Sequence, residues 1–374
     1  MKLLGNKQLI IMKPLKYLDY ILNPLDLLRT KKVLQVNPTA VPVREEPKEV
    51  VITVFEYDKE KMINHTLKTV EETFKFLHSP SLTWINIDGL RKEDVETICN
   101  HFGIHPLIAE DILSIGQRPK TDEIDGLMYC LLNMLSFNEK ISGVETEQVS
   151  IILGKNFVIS FQEDPFRDPF NPLREKLKIA GSKVRQSSAD FLFYSLLDYI
   201  VDHYFTVMEK MGEKIELLEE DIIKNSNNRS LVKINMIRKE MILLKRSIAP
   251  VRELISGILR SESELIEDKT EKYFKDVYDH IIQANDLSEN YRDMMMNMQD
   301  LYLSNVNLRM NEVMKVMAVV TCLLAPATVI GGIFGMNFDI IPLLHNKWGF
   351  FISVGLMLFV PLLMVRSFRK RGWF

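Results

Sequence analysis

The sequence predicts an α+β membrane protein, with an N-terminal α/β domain, a long helical stalk and two C-terminal transmembrane helices. Three observations carry this reading. First, Val316–Phe338 is a run of 23 residues without a formal charge and Trp348–Val365 a run of 18, each long enough as a helix to cross about 30 Å of hydrocarbon. Second, Ile258–Ala325 contains neither Pro nor Gly, and its 68 residues would span about 100 Å as one helix at 1.5 Å per residue. Third, β-branched and aromatic runs alternate with helical stretches before that rod, as in an α/β domain.

The elements follow in order. Residues 1–48 read as an arm and linker, with a helical-looking Leu15–Leu28 and a link through Pro38, Pro42 and Pro47. Lys2, Lys7 and Lys13 interrupt the apolar residues before an h-region forms, so no signal peptide is expected. Residues 49–180 form the α/β domain, with strands at Val50–Tyr57, Leu82–Ile87, Leu127–Phe137 and Gln148–Ser160 (split by Gly154), and helices at Lys59–Leu77 and Lys92–Phe102. Residues 181–313 are long helices. Phe191–Lys224 and Ser230–Ile248 make an αα-hairpin across Asn225-Ser226-Asn227-Asn228, and the rod follows. Residues 314–337 form the first transmembrane helix, 338–347 a loop, 348–366 the second helix and 367–374 a basic tail. Arg366, Arg369, Lys370 and Arg371 have no acidic neighbour, which by the positive-inside bias places the C-terminus in the cytoplasm, and two crossings return the N-terminus there. Trp348, Phe350 and Trp373 sit where aromatics settle at the interface.

Composition excludes several classes. Of 374 residues, 47 are Lys or Arg and 50 Asp or Glu, a net charge of −3, which offers no electrostatic footprint for nucleic acid. Cys99, Cys130 and Cys322 are too dispersed for a disulfide framework or a paired-thiolate zinc site. His101 and His105 are followed by Pro106 and have no third ligand nearby, which argues against zinc there. No phosphate-cradling Gly loop, Gly-x-Ser-x-Gly or His-Glu-x-x-His is present, so neither an ATP-driven pump nor a hydrolase is expected.

The rod carries a seam at alternating three- and four-residue spacing: Asp300, Ser304, Asn307, Asn311, Met314, Ala318, Thr321, Ala325, Thr328 and Gly332. A heptad repeat keeps these on one helix face. The face is small or polar where a coiled coil would be branched and apolar. Two explanations remain open: close helix packing through small residues, or a pore lined by identical copies of the helix. The seam's continuation below the apolar run as Asn311, Asn307 and Asp300 favours the pore, and neutral oxygens suit a hydrated Mg²⁺ that gives up its waters reluctantly.

After the first apolar run stands Gly335-Met336-Asn337, within Ile333-Phe334-Gly335-Met336-Asn337-Phe338. With the two terminal spans, the long helix and the basic tail, this resembles the CorA family of divalent-cation channels, whose signature is Gly-Met-Asn at the outer mouth. The resemblance also covers Asn311–Val316, Phe274–His280, Glu110–Leu113 and Gln117–Lys120, from about residue 50 to the end. It implies a homopentameric funnel in the plasma (inner) membrane that takes up Mg²⁺, with Co²⁺ as a further cargo, the first membrane helix lining the pore. It makes Asn337 and the Gly335 backbone the outer ring and Asn311 a second ring, with Thr328 and Gly332 between. It also matches Asp111 and Asp276 to an acidic pair that binds regulatory Mg²⁺ between subunits, with Glu110 and Asp198 at a second position. Read from the residues alone, Asp276, Asp279 and His280 merely share a helix face, and Lys272 is in reach of Asp276.

The loop departs from the family in lacking a glutamate after Pro342, which leaves Asp339 as its acidic attractor. Ala318 and Ala325 are small where relatives place constrictions, so Met314 and Met317 would form the hydrophobic gate. Alternatives are Co²⁺, Ni²⁺ or Zn²⁺ as the physiological ion, or a non-conducting two-helix membrane sensor, which would have no need of a polar seam.

Overall fold

Two compact units make up the chain in a computed structural model, which describes residues 46–373 except 48, 166–167, 339–340 and 344–345. The expected Leu15–Leu28 helix and Asp339 lie outside the described residues. One unit comprises the described residues up to Ile215 together with Met236–Asp293, and the other Glu216–Asn235 with the residues from Met294 onward.

The first unit is built on a seven-stranded sheet. Its strands are β1 (Val51–Tyr57), β2 (Met62–Leu67), β3 (Leu82–Asp88), β4 (Lys120–Ile124), β5 (Leu127–Asn138), β6 (Gly143–Leu153) and β7 (Phe157–Gln162), in the order β2-β1-β3-β7-β6-β5-β4. β3 and β7 run parallel and the other neighbours antiparallel. Every residue of β7 is buried, because both faces of the sheet are covered and a strand then reads as a continuous apolar run. On one face Ile85, Ile87, Ile159 and Phe161 pack under a 3-10 helix (Val70–Phe76), α1 (Lys92–His101) and α2 (Pro106–Leu113). On the other, Trp84, Asn86, Asp88, Ser160 and Gln162 form a buried hydrogen-bonded row.

Two expectations for this unit need correction. Lys59–Leu77 is not one helix but β2 followed by the 3-10 helix. Asp58 Oδ1 accepts the backbone N–H groups of Glu60 and Lys61, both at 2.7 Å, which turns the chain back so that Met62 pairs with Tyr57. The strand β4, all charged or polar save Ile124, carries no apolar alternation and was absent from the sequence reading.

The helices continue as α3 (Asn171–Lys178), α4 (Lys183–Gln186), α5 (Ala189–Asn225), α6 (Asn228–Arg260), α7 (Asp268–Phe334) and α8 (Gly349–Lys370). The hairpin turn lies where expected, and Asn227 Oδ1 caps α6 by accepting from Arg229 N at 2.8 Å and Ser230 N at 3.2 Å. The rod starts about ten residues later than expected, at Asp268. Chemistry other than Pro and Gly breaks it: Ser261 Oγ donates to Ile258 O at 2.8 Å, Ser263 Oγ accepts from Leu265 N at 3.2 Å, and Asp190 Oδ2 accepts from Glu267 N at 2.9 Å.

In the second unit α7 is fastened to the hairpin tip. Asn305 Nδ2 donates to Ile222 O at 3.2 Å and the Arg309 guanidinium to Ser226 O at 2.6 Å. α8 lies along α7. A Cβ on Gly331 would sit 3.7 Å from the Met357 methyl, and Lys315 Nζ donates to Gly372 O at 3.5 Å. The 18-residue apolar windows of α7 and α8 are only 6% and 11% buried, so these are not core helices of a soluble fold.

Candidate functional site

The seam is one exposed face of α7. Asp300, Ser304, Asn307, Asn311, Met314, Ala318, Thr321, Ala325, Thr328 and Gly332 are all exposed. The residues of the apolar stretch that lose exposure are instead Val319, Leu323, Pro326, Ala327, Ile330 and Phe334, with Val319 only 4% exposed. At 100° per residue these two sets are centred about 150° apart around the helix. Val319 is thus shielded on the side away from the seam, while Val316, Val320, Leu324, Val329 and Ile333 stay exposed together with the small and polar row. Along it, Thr321 Oγ1 donates to Met317 O at 2.9 Å and Thr328 Oγ1 to Leu324 O at 3.1 Å. Each hydroxyl proton is thereby committed to the helix, and the oxygen faces outward as an acceptor, the polarity a hydrated cation needs.

At the upper end of the seam the helix stops. Gly335 N donates to Gly331 O at 3.0 Å and to Gly332 O at 3.2 Å, and Met336 N to Ile333 O at 3.3 Å. The chain then leaves helical geometry, with Met336 and Asn337 exposed. The carbonyls of Gly331, Gly332 and Ile333 are thus bonded within the last turn, and the exposed Asn337 amide stands beyond it at the end of the exposed face.

The acids of the first unit fall into two groups. Asp198 and Asp202 lie one turn apart on α5, and with His280 on α7 they place one ligand atom each within 4.8 Å of one another. His280 Nδ1 lies 3.7 Å from Asp202 Oδ1. Burial foremost, then the charge of Asp202, pushes the Asp198 carboxyl up to about 6, with Asp276 adding in the same direction and Tyr194 and His280 opposing. The cluster is acidic and partly withdrawn from water. Its donors are two carboxylates and an imidazole whose buried Nδ1 has no hydrogen-bond partner, a set that fits a divalent cation. The second group is at the end of α2. Glu110 is exposed, and Asp111 Oδ2 lies 2.5 Å from Lys120 Nζ.

A family profile described as CorA-like Mg²⁺ transporter protein matches residues 79–370. The chain belongs to this CorA family. It is 38% identical over 323 residues to the cobalt/magnesium transport protein CorA of Thermotoga maritima, covering 86% of this chain and 92% of that one. To the cobalt/magnesium transport protein CorA of Methanocaldococcus jannaschii it is 25% identical over 296 residues, covering 78% and 91%. Among solved structures, the complete CorA magnesium transporter of M. jannaschii aligns with a TM-score of 0.71 at 22% identity, over 88% of this chain and 100% of that one. The expected architecture of sheet domain, long helix and two C-terminal apolar helices holds for this CorA chain.

Within one CorA subunit, the structure brings Asp198 to Asp202 and His280, and Asp111 to Lys120. Asp276 is exposed on α7, one turn before His280. Sequence reasoning missed Asp202 and Lys120 and gave His280 no ligand role. The repeated four-residue spacing, Asp198 with Asp202 and Asp276 with His280, was the available signal, although it could not say that the two helices face each other.

Proposed function

We propose that five copies of this chain form a channel in the plasma (inner) membrane, both termini cytoplasmic, through which Mg²⁺ enters. The observation that carries this is one exposed row along α7, of small and oxygen-bearing side chains apart from Met314, on the side away from the shielded Val319 and ending at Gly335-Met336-Asn337. Facing lipid, such a row would set the outward oxygens of Thr321 and Thr328 in hydrocarbon, whereas around an axis of like helices it encloses water. Asn337 and the Gly335 backbone would receive the hydrated ion, Thr328, Thr321 and Asn311 would pass it on through its waters, and Met314 with Met317 would form the apolar constriction. No energy source beyond the membrane potential is required, since a divalent cation moving inward gains about 4.6 kcal/mol per 100 mV.

The cytoplasmic acids then regulate. Asp276, with Asp111 from a neighbouring subunit, would hold a regulatory Mg²⁺, and Glu110 with Asp198 a second one nearby; the cation supplies the positive charge that lets these carboxylates stay close. Without that charge the acids of adjacent subunits repel and favour separation. Two states with different affinity for the cation are sufficient for such control.

The test is reconstitution of the full chain in liposomes under an inward-negative potential, with Mg²⁺ entry read by an internal dye and Co²⁺, Ni²⁺ and Zn²⁺ as competitors. Potential-driven Mg²⁺ entry is the expected result. A sealed, correctly inserted protein that conducts none of these ions would overturn the proposal.

A further inference from the structure

Asp111, which the regulatory reading requires as a ligand, already has a cation beside it. Lys120 Nζ lies 2.5 Å from its carboxylate, the two side chains being 37% and 17% exposed. The arrangement is held from both sides. On the carboxylate side, Gln148 of β6, itself buried, donates through Nε2 to Asp111 O at 3.1 Å and Ile112 O at 3.2 Å, and Ser114 Oγ donates to Glu110 O at 2.8 Å. The end of α2 is thereby pinned to the sheet. On the ammonium side, Lys120 opens β4 in register with Leu131 of β5, so its backbone is fixed to the same sheet. The other basic side chain nearby, Arg118, turns to Glu253 at 3.3 Å. Lys120 is thus the cation that the fold directs at Asp111.

We propose that Lys120 is a built-in competitor for the divalent cation at Asp111, and that it sets the Mg²⁺ concentration at which the regulatory site fills. This rests on the regulatory reading of Asp111 and Asp276 given above. A carboxylate neutralised by an ammonium attracts a second cation less, so filling requires Lys120 to be displaced or its charge to be tolerated beside the ion. Mg²⁺ uses one or two carboxylates and otherwise keeps its waters, so the loss of one acid's full charge is a large share of its protein ligation. Removing the ammonium should raise the affinity. For a partly exposed pair the expected change is about fivefold.

The experiment is limited proteolysis of the full-length protein across a Mg²⁺ titration, which reads site filling independently of flux. Lys120→Met and Lys120→Gln should both move the midpoint of protection about fivefold lower, and Lys120→Arg, which keeps the charge, should stay near the wild type. Asp111→Asn should move it higher, and adding Lys120→Met to Asp111→Asn should change nothing further. If Asp111→Asn shifts the curve while the Lys120 variants leave it unchanged or move it higher, the competitor role is wrong and the regulatory reading stands. An equal shift from Lys120→Met in both backgrounds also overturns it, because the lysine would not be acting through Asp111. A wild-type curve for Asp111→Asn overturns the regulatory reading itself, and the inference with it.

Discussion

Asp88→Asn should invert in effect between acid and alkaline pH. Asp88 ends β3 at only 3% exposure, accepting from Asn86 Nδ2 at 2.8 Å and from Gln162 Nε2. The neighbouring Asp168 is paired with Arg174, whose guanidinium lies over the Trp84 ring at 5.3 Å. Burial, then the charge of Asp168, pushes the Asp88 carboxyl from 3.8 up to about 6. Because the folded value is raised, the neutral form is the one folding favours. Its stabilisation is present in full below about pH 4 and is lost as pH rises through about 6, a difference of about 3 kcal/mol for two units. Asn imitates the neutral acid but offers an amide where Asn86 Nδ2 donates, a hydrogen bond worth about 1 kcal/mol. The variant should therefore be about 1 kcal/mol less stable near pH 3, below the unfolded value, and about 2 kcal/mol more stable at pH 8, the latter roughly 4–8 °C in thermal midpoint. Circular dichroism melts of the full chain in detergent at the two pH values measure this. Parallel pH dependences for variant and wild type would refute the reasoning, since the ionised Asp88 would then cost nothing. Glu147, pushed by burial to about 7 while accepting from Glu163 N and Asp164 N at 2.9 Å, adds a slope of the same sign to both proteins.

Asn337→Ala should abolish Mg²⁺ entry into liposomes while leaving the oligomer intact by crosslinking; normal flux would remove Asn337 from the filter. Asn311→Leu should slow conduction strongly, whereas Val320→Leu, exposed but off the seam, should change it little, so equal effects would make the seam a packing face. The Asp276→Ala, Asp111→Ala double variant should lose Mg²⁺-dependent protection from protease, and an unchanged protection curve would return these acids to an ordinary solvated surface. Gly89→Ala should lower the thermal midpoint by the equivalent of about 1–3 kcal/mol, because Gly89 has φ +96° and a Cβ there would lie 2.6 Å from Glu49 O.

The amino-acid sequence by itself determined the features that live in one dimension. Two charge-free runs of membrane length, the three-four seam from Asp300 to Gly332, and Gly335-Met336-Asn337 after it are properties of local order and periodicity, and a helix converts such order directly into a face. Tertiary structure decided everything that depends on partners distant in the chain. β2 and β4 carry weak intrinsic signals and become strands because β1 and β5 offer them free edges. The rod begins at Asp268 because Asp190, remote in sequence, accepts the N–H of Glu267. Where α8 lies along α7, near Gly331 and Lys315, was fixed by packing. Asp202 meets His280, and Lys120 meets Asp111, only once helices and sheet have packed. The four-residue spacings of Asp198 with Asp202 and of Asp276 with His280 show only a shared helix face, because a carboxylate on any exposed face looks the same in sequence until the fold supplies the cation opposite it.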